Sequence, residues 1–271
     1  MLLTDDVILR NNVKIIGNGP QTLVLGHGFG CDQNMWRFLT PELQKNFRIV
    51  LFDYVGSGSS DISQYNKDRY SSLEGYAQDI IEICQALQLS DAIFVGHSVS
   101  SIIGGLASIE IPNAFSKLIM ICPSPCFLNL PPDYLGGFEK QDLQELLNLM
   151  DKNYIGWANY LAPLVIGEAN SSELIGELSG SFCSTDPVVA KNFAKATFLS
   201  DYRHILKDIK HPTLIFQSQN DSLASPEIGQ FISENITTSE LDIVKADGHC
   251  LHMTHPNKIT DAILRYVDNH E

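Results

Sequence analysis

Basic side chains are scarce in this chain. Its 271 residues include 18 lysines and arginines against 32 aspartates and glutamates, which gives a formal net charge of −14. An acidic surface repels phosphate backbones and anionic lipid headgroups. We therefore expect neither nucleic acid nor a membrane surface as a partner.

Long apolar runs are also missing. No uninterrupted apolar segment reaches the roughly 20 residues that a membrane-spanning helix needs. The start of the chain carries Asp5 and Asp6 and lacks the apolar stretch of a signal peptide. These features predict a soluble, cytoplasmic protein.

The cysteines follow no framework of spacings. In a chain of this length without an export signal, scattered cysteines are typical of reduced, mostly buried thiols. Cys122 and Cys126 do not have the spacing of a redox CxxC pair, and no second pair completes a zinc site. The six cysteines are Cys31, Cys84, Cys122, Cys126, Cys183 and Cys250.

What the sequence does contain is an alternation of short apolar runs and helical periods. Residues 73–87 have apolar side chains at helical spacing, with Ser71 and Glu74 as a predicted capping box, and residues 257–267 predict a last helix. The alternation predicts an α/β fold with a mostly parallel, doubly wound sheet. The runs that are apolar on both faces, as strands of a covered parallel sheet are, lie at residues 22–25, 48–52, 92–95, 118–121 and 213–217.

The alternation breaks between residues 125 and 201. Asp186 and Pro187 are a good N-cap and first-turn proline for the last of four helices in this stretch. A helical block inserted in an α/β core is typical of a lid over an active site. We therefore expect a core of residues 1–124 and 202–271 and a four-helix cap of residues 125–201. The four helices are predicted over residues 139–152, 153–165, 171–182 and 187–199.

A serine at a predicted strand-to-helix turn is the strongest functional motif. The apolar run around residue 94 ends in Gly96-His97-Ser98-Val99-Ser100, and an apolar helical segment follows. Such a nucleophile elbow lifts a hydroxyl above the sheet and needs small flanking residues. Ser100 stands where the motif usually has a second glycine, and serine is still small. The motif predicts Ser98 as a nucleophile; the alternative is an ordinary strand–loop–helix with an incidental serine.

A nucleophilic serine needs a base, and the base needs an orienting acid. Asp221 and His249 each follow a predicted strand, so both should lie at the sheet edge that carries the elbow. The chain order of serine, acid and histidine is also typical of this motif. Asp247 is the alternative acid, or a residue that shapes the turn before Gly248. We expect Ser98, Asp221 and His249 to form a catalytic triad.

The developing negative charge on a substrate needs two backbone N–H donors. Val99, directly after the predicted nucleophile, supplies one. The glycine-rich segment Gly26-His27-Gly28-Phe29-Gly30 follows an early strand, and the N–H of Phe29 is expected to supply the other. The alternative for this segment is a plain glycine-rich turn.

Two further patterns are not expected to bind a metal or cofactor. His249, His252 and His255 recur every third residue, but Pro256 and the preceding glycine loop interrupt a regular helical face. Gly56-Ser57-Gly58 resembles half of a dinucleotide-binding motif, yet an aspartate replaces the third glycine. His97 is expected to be a structural hydrogen-bonding residue rather than a second base.

These motifs together resemble the RsbQ-like branch of the α/β-hydrolases, over nearly the full length of the chain. That branch contains bacterial stress-signalling proteins related to plant strigolactone and karrikin receptors. The elbow ending in Ser100 is similar to the plant receptors, whereas residues 52–58 and 182–187 are similar to the bacterial members. The other matching segments are residues 26–33, 136–139, 153–157 and 247–249.

The resemblance implies a small apolar ligand with a carbonyl group, bound in a closed pocket under the cap. In the bacterial branch it also implies a partner, a serine phosphatase with a PAS domain. The alternative for each aromatic residue of the pocket is simple packing of cap against core. The implied pocket residues are Phe29, Phe127, Phe138, Trp157, Leu161 and Phe198.

The expected function is therefore serine hydrolysis of a small apolar ester or lactone within a stress-signalling system. The alternative is a metabolic carboxylesterase without a signalling partner. Dehalogenase and epoxide-hydrolase activities are not expected, because those enzymes need an aspartate where Ser98 stands.

Overall fold

Nine strands alternate with helices along residues 4–268, the part of the chain that the computed structural model describes. The apolar runs singled out in the sequence form the central strands, as buried β-rich segments do. In chain order the strands are β1 (Lys14–Ile16), β2 (Gln21–Gly26), β3 (Phe47–Leu51), β4 (Ala92–His97), β5 (Phe115–Ile121), β6 (Asn129–Leu130), β7 (Tyr134–Leu135), β8 (Thr213–Asn220) and β9 (Ser239–Asp247).

Seven of these strands form one sheet, in the order β1-β3-β2-β4-β5-β8-β9. The β1–β3 pair is antiparallel, and the other neighbours in this sheet are parallel. β6 and β7 form a separate antiparallel hairpin. The predicted α/β class with a mostly parallel sheet is therefore confirmed.

Helices connect and cover the strands. The helices predicted over residues 73–87 and 257–267 are α3 and α11. No helix among residues 4–268 is long and apolar enough to span a membrane. In chain order the α-helices are α1 (Thr4–Arg10), α2 (Thr40–Leu43), α3 (Leu73–Ala86), α4 (Val99–Glu110), α5 (Lys140–Lys152), α6 (Tyr154–Ile166), α7 (Ser172–Ser184), α8 (Pro187–Phe198), α9 (Pro226–Asn235), α10 (Leu251–Thr254) and α11 (Pro256–Asp268).

Alternating side chains along the strands build one apolar core on each face of the sheet. Leu23 and Val95 belong to the core that also contains residues of α6 and α11. Val24 and Phe94, one position away on the same strands, belong to the core built with α3, α4 and α9. Because both faces are covered, the central strands need apolar residues at nearly every position.

The predicted capping box at the start of α3 is wrong. The N-cap of α3 is Ser72, and the hydroxyl of Ser71 instead donates to the carbonyl of Asp68, at 2.8 Å. Glu74 accepts a hydrogen bond from the hydroxyl of Tyr202, at 2.7 Å. A short 3₁₀ turn precedes the helix and moves its start by one residue, so the expected reciprocal bonds do not form.

The segment between β5 and β8 holds the hairpin β6–β7 and then four helices. α5–α8 begin within one residue of the predicted starts. The carboxylate of Asp186 accepts the N–H groups of Val188 and Val189, at 2.9 and 3.1 Å, as an N-cap does. The two ends of the segment meet where the N–H of Tyr202 donates to the carbonyl of Pro125, at 2.8 Å. The segment thus leaves the core and returns to it at one place.

Candidate active site

A sharp strand-to-helix turn carries Ser98. β4 ends at His97 and α4 begins at Val99, so Ser98 occupies the turn itself, with a φ of 55°. A positive φ is strained for a residue with a side chain and is found at functional turns. Gly96 allows the close approach, because a Cβ there would lie 2.7 Å from backbone atoms of Ser100. The turn has the geometry of a nucleophile elbow.

The Ser98 hydroxyl begins a chain of three hydrogen-bonded side chains. Its Oγ lies 2.7 Å from Nε2 of His249, and Nδ1 of His249 lies 2.7 Å from Oδ2 of Asp221. A carboxylate can only accept, so Nδ1 carries the imidazole proton and Nε2 faces the serine hydroxyl with its lone pair. The side chains of His249 and Asp221 are 2% and 0% exposed, which keeps water from competing for these bonds. Chemically, the arrangement can remove the hydroxyl proton as the oxygen attacks.

The loop after β8 fixes the orientation of Asp221. Its Oδ1 accepts the N–H groups of Leu223 and Ala224, at 2.8 and 3.1 Å, which leaves Oδ2 for the imidazole. Cys122, directly after β5, lies against this carboxylate. Burial and the nearby negative charge of Asp221 raise the pKa of the Cys122 thiol well above its usual value, so the thiol stays neutral.

Asp247, the alternative acid, lies elsewhere. It is exposed, and its Oδ1 accepts a hydrogen bond from the side chain of Asn220, at 2.7 Å. Its carbonyl accepts another from the side chain of Asn170, at 2.9 Å. Asp247 therefore shapes the loop before His249, while Asp221 contacts the imidazole.

The backbone of His249 is bonded to the end of α6. Its N–H donates to the carbonyl of Val165, at 2.7 Å. Gly248 has a φ of +88°, and a Cβ there would lie 2.0 Å from the carbonyl oxygen of Ile166. A glycine is therefore required for the loop to lie this close to the helix end.

Buried rings and a thiol pack behind His249. Nε2 of His97 donates to the carbonyl of His249, at 3.0 Å, which fits the structural role expected for His97. The ligand atoms of His97, Cys250 and His252 lie within 4.8 Å of one another, and all three residues are buried. The third histidine of the sequence pattern, His255, instead contacts the hydroxyl of Thr254. The fold thus places a histidine and a cysteine beside His252, a grouping that the spacing of the three histidines in the sequence does not show.

Burial keeps these two histidines uncharged. Burial and the neighbouring imidazoles of His252 and His249 hold the pKa of His97 well below its ordinary value. Burial and the neighbouring imidazole of His249 lower the pKa of His252 to about 3, with a further contribution from Arg37. Both rings are therefore neutral where they pack behind His249.

The loop after β2 carries Phe29 to the same place. Phe29 and Ser98 line one cavity, and Val99 is the first residue of α4, so its N–H lies outside the helical ladder. Neither N–H donates to a protein acceptor within residues 4–268. The structure thus brings both predicted oxyanion donors to the Ser98 region with their N–H groups unused.

Above Ser98 lies a cavity of about 30 Å³. Four of the six predicted pocket residues line it: Phe29, Phe127, Leu161 and Phe198. Most of its other lining side chains are apolar too. They could not be predicted from the sequence, because isolated apolar residues carry no motif. The cavity also touches Cys31, His97, Ser98, Val165, Leu178, Phe182, Thr197, Leu223, His249 and Cys250.

Trp157 and Phe138, the other two predicted pocket residues, lie outside this cavity. Trp157 is buried and stacks on Tyr154, with its ring centroid also 5.1 Å from that of Phe182. It supports the cavity wall from behind instead of forming it. Phe138 lines a neighbouring cleft of about 360 Å³.

That neighbouring cleft lies between α5 and α6. Its walls are mainly leucines of the two helices, and it shares Leu161, Phe198 and Leu223 with the inner cavity. These three side chains therefore separate the outer cleft from the space above Ser98.

Comparison with protein families gives one match over most of the chain. Residues 21–256 match the model of the α/β hydrolase fold family. The match covers the elbow and the loops that carry Phe29 and Asp221, as well as His249.

Individual relatives are similar over nearly their whole length. The chain is 38% identical over 258 residues to karrikin insensitive 2 receptor CA of Petunia hybrida, covering 95% of each chain. It is 33% identical over 255 residues to strigolactone esterase D14 of Arabidopsis thaliana, covering 94% of this chain and 95% of that protein. A solved structure of a hydrolase from Oleispira antarctica is 62% identical, with a TM-score of 0.98 and coverage of 99% and 98%.

Proposed function

The chain belongs to the α/β hydrolase fold family, and we propose that within it the chain is a serine hydrolase of a small, largely apolar ester or lactone. One observation carries the proposal: Ser98, His249 and Asp221 form a single hydrogen-bonded chain at the nucleophile elbow. The esterases among its relatives support the reaction type.

Acylation begins when the Ser98 oxygen attacks the substrate carbonyl. Nε2 of His249 takes the hydroxyl proton, and the carboxylate of Asp221 stabilises the resulting imidazolium. The N–H groups of Phe29 and Val99 donate to the oxyanion of the tetrahedral intermediate. His249 then returns the proton to the leaving alcohol as the ester bond breaks.

Deacylation reverses these roles for water. His249 removes a proton from a water molecule, whose oxygen attacks the acyl-serine carbonyl. Collapse of the second tetrahedral intermediate releases the acid and returns the proton to Ser98. A lactone follows the same path, except that acid and alcohol remain in one molecule.

The walls of the site support an apolar ligand of modest size. A cavity of about 30 Å³ holds roughly one water molecule. The aromatic and leucine side chains above Ser98 must therefore move before an ester enters. We propose that α5–α8, within residues 125–201, act as the cap that makes this movement.

Turnover of short esters and lactones by three matched proteins tests the proposal. Ser98→Ala is expected to reduce kcat/KM by at least ~10³-fold, as loss of a triad nucleophile does. Ser101→Ala is the control, because Ser101 is also buried at the start of α4 but its Oγ bonds the carbonyl of Gly96. Equal turnover by wild type and Ser98→Ala would refute the proposal.

Ligand sensing is a second candidate function, favoured by two observations. The chain is similar over 95% of its length to a protein named as a receptor. In addition, the N–H of His249 is bonded to Val165 at the end of α6, so a cap movement reaches the catalytic base directly. The RsbQ-like resemblance extends this candidate to stress signalling in the cytoplasm, with a PAS-domain serine phosphatase as partner.

Retention of that phosphatase on immobilised protein separates the two candidates. Ile155 and Tyr160 of α6 are 65% and 59% exposed and offer apolar contacts on the outer surface of the helix. If sensing is the function, the phosphatase binds the wild type in a ligand-dependent way and is lost from Ile155→Asp. A metabolic carboxylesterase instead turns its ester over rapidly and binds no phosphatase in either form.

A further inference from the structure

Ser100 links three neighbouring strand ends beneath the proposed oxyanion site. Its Oγ bonds the carbonyl of His27, which follows β2, and lies 2.8 Å from the hydroxyl of Tyr54, which follows β3. Ser100 itself lies in α4, directly after β4. β3, β2 and β4 are adjacent in the sheet, so one hydroxyl ties three consecutive strand ends together.

The direction of each bond follows from its partners. A carbonyl can only accept, so Ser100 donates to His27 and Tyr54 donates to Ser100. The N–H of Tyr54 donates to Nε2 of His27, at 3.2 Å. The His27 ring therefore carries its proton on Nδ1, which donates to the carbonyl of Gly28, at 2.9 Å. Ser100, His27 and Tyr54 are each 0% exposed, so water does not substitute for any of these bonds.

The Gly28 carbonyl matters because of the peptide bond that follows it. In a planar trans peptide, the C=O of Gly28 and the N–H of Phe29 point in opposite directions. The His27 ring and the N–H of Cys31, at 3.3 Å, hold that carbonyl from one side. They thereby fix the direction in which the Phe29 N–H points.

We propose that Ser100 is a positioning residue for the oxyanion hole, acting through His27 and the Gly28–Phe29 peptide; this rests on the proposed function. Where the elbow motif usually has glycine, this chain has Ser100, whose hydroxyl holds the loop that carries Phe29. Glycine or alanine at residue 100 leaves the buried carbonyl of His27 and the buried hydroxyl of Tyr54 without this hydrogen-bond partner. Because an unsatisfied buried polar group is costly, the loop shifts until these groups find other partners.

Steady-state kinetics of Ser100→Ala and Ser108→Ala test the inference. Ser108 is a buried serine on the same helix whose Oγ bonds the carbonyl of Gly105. Ser100→Ala should lower kcat about 10-fold, a part of the 10²–10³-fold lost with a whole oxyanion donor, while KM stays within about twofold. Ser108→Ala should retain wild-type kcat. Absence of turnover in the wild type refutes the proposed hydrolase, whereas wild-type kcat in Ser100→Ala refutes only the role of Ser100.

Inhibition by an alkyl boronic acid separates positioning from simple destabilisation. The boron accepts an electron pair from the Ser98 oxygen, whose proton passes to His249, and the tetrahedral adduct uses the oxyanion donors. Ser100→Ala should raise the inhibition constant by about the same factor as it lowers kcat. An unchanged constant together with a reduced melting temperature would show a merely structural role.

Tyr54→Phe gives a second variant that keeps the ring and removes only the hydroxyl. It should lower kcat about threefold, because Ser100 retains its bond to His27. The variant that combines Ser100→Ala with Tyr54→Phe should have the same kcat as Ser100→Ala alone, since both substitutions act on one hydrogen-bond network. If the two effects multiply independently, the network does not act as proposed. If Ser100→Ala does not fold, Tyr54→Phe alone tests the inference. A wild-type kcat in Tyr54→Phe would then refute it.

Discussion

The N–H of His249 donates to the carbonyl of Val165, at 2.7 Å. The residue that acts as base in the proposed reaction is thus bonded through its backbone to the last turn of α6. Asn170 extends this contact, because its side chain donates to the carbonyls of both Ile166 and Asp247. We therefore expect a movement of α6 to carry the His249 loop with it.

Gly248→Ala should break this contact and reduce activity. The added Cβ would lie 2.0 Å from the carbonyl oxygen of Ile166 at a φ of +88°, so the loop must shift and carry His249 with it. We expect kcat to fall at least ~10²-fold, as misplacement of a catalytic group by about 1 Å does. Gly176→Ala is the control, since a Cβ at Gly176 in α7 meets nothing within 4 Å. That variant should keep its activity and gain about 0.5–1 kcal/mol of stability.

Asp221→Asn and Asp247→Asn should differ sharply. Asp221 accepts the Nδ1 proton of His249, whereas the carboxylate of Asp247 accepts a hydrogen bond from the side chain of Asn220. An asparagine at residue 221 favours the wrong imidazole tautomer, and kcat should fall by about 10³–10⁴-fold. Asp247→Asn should stay within about fivefold of wild type. Similar losses in the two variants, measured as kcat on one ester, would contradict the assignment of the acid.

Stability should depend on the protonation of His252. Its pKa is about 3 in the folded chain and 6.5 unfolded, so between these values the unfolded chain binds more protons. The stabilisation is fully present above pH 6.5 and is lost as the pH falls towards 3, at about 1.4 kcal/mol per pH unit for one such group. Urea unfolding at several pH values measures this slope.

His252→Phe should flatten that slope. The imidazole nitrogens of His252 have no hydrogen-bond partner within residues 4–268, so phenylalanine removes the titration and keeps a ring beside Trp36. His204→Gln is the control, because His204 is exposed. An equal slope in wild type and His252→Phe would mean that His252 does not carry the acid sensitivity.

Leu161→Ala should widen the passage between the outer cleft and the cavity above Ser98. Leu161 lines both spaces and is 2% exposed. We expect kcat/KM to rise for branched esters relative to acetate esters, together with a loss of about 2–5 kcal/mol of stability. Leu206→Ala, in the core on the other face of the sheet, should lose similar stability without a change in preference. An unchanged preference in Leu161→Ala would show that Leu161 does not limit substrate size.

The sheet and the Ser98 elbow could be predicted from the sequence because their signals are local. An apolar run followed by Gly96 and a serine indicates a strand that turns abruptly. The order of Asp221 and His249 on later strands then follows from the rule that parallel strands place their ends at one edge. The positions of the four helices between β5 and β8 follow from apolar spacing and from caps such as Asp186.

Contacts between distant segments could not be predicted in the same way. Trp157 is aromatic and lies in the expected stretch, but whether it faces the cavity or supports it from behind depends on the rotation of α6. The cluster of His97 with Cys250 and His252, and the bond from His249 to Val165, join residues far apart in the chain. No spacing rule in the sequence relates these residues. The close approach of the His249 loop to α6 depends on the backbone geometry at Gly248.

Intact mass after exposure to a fluorophosphonate probe tests the central claim most directly. The probe phosphonylates an activated serine with loss of fluoride, and no turnover of a natural substrate is needed. Wild type should gain one phosphonyl group, which peptide mapping places on Ser98, while Ser98→Ala gains none and Ser101→Ala labels like wild type. Labelling of Ser98→Ala at the wild-type rate, or a wild type that stays unlabelled, would contradict the assignment of Ser98 as the nucleophile.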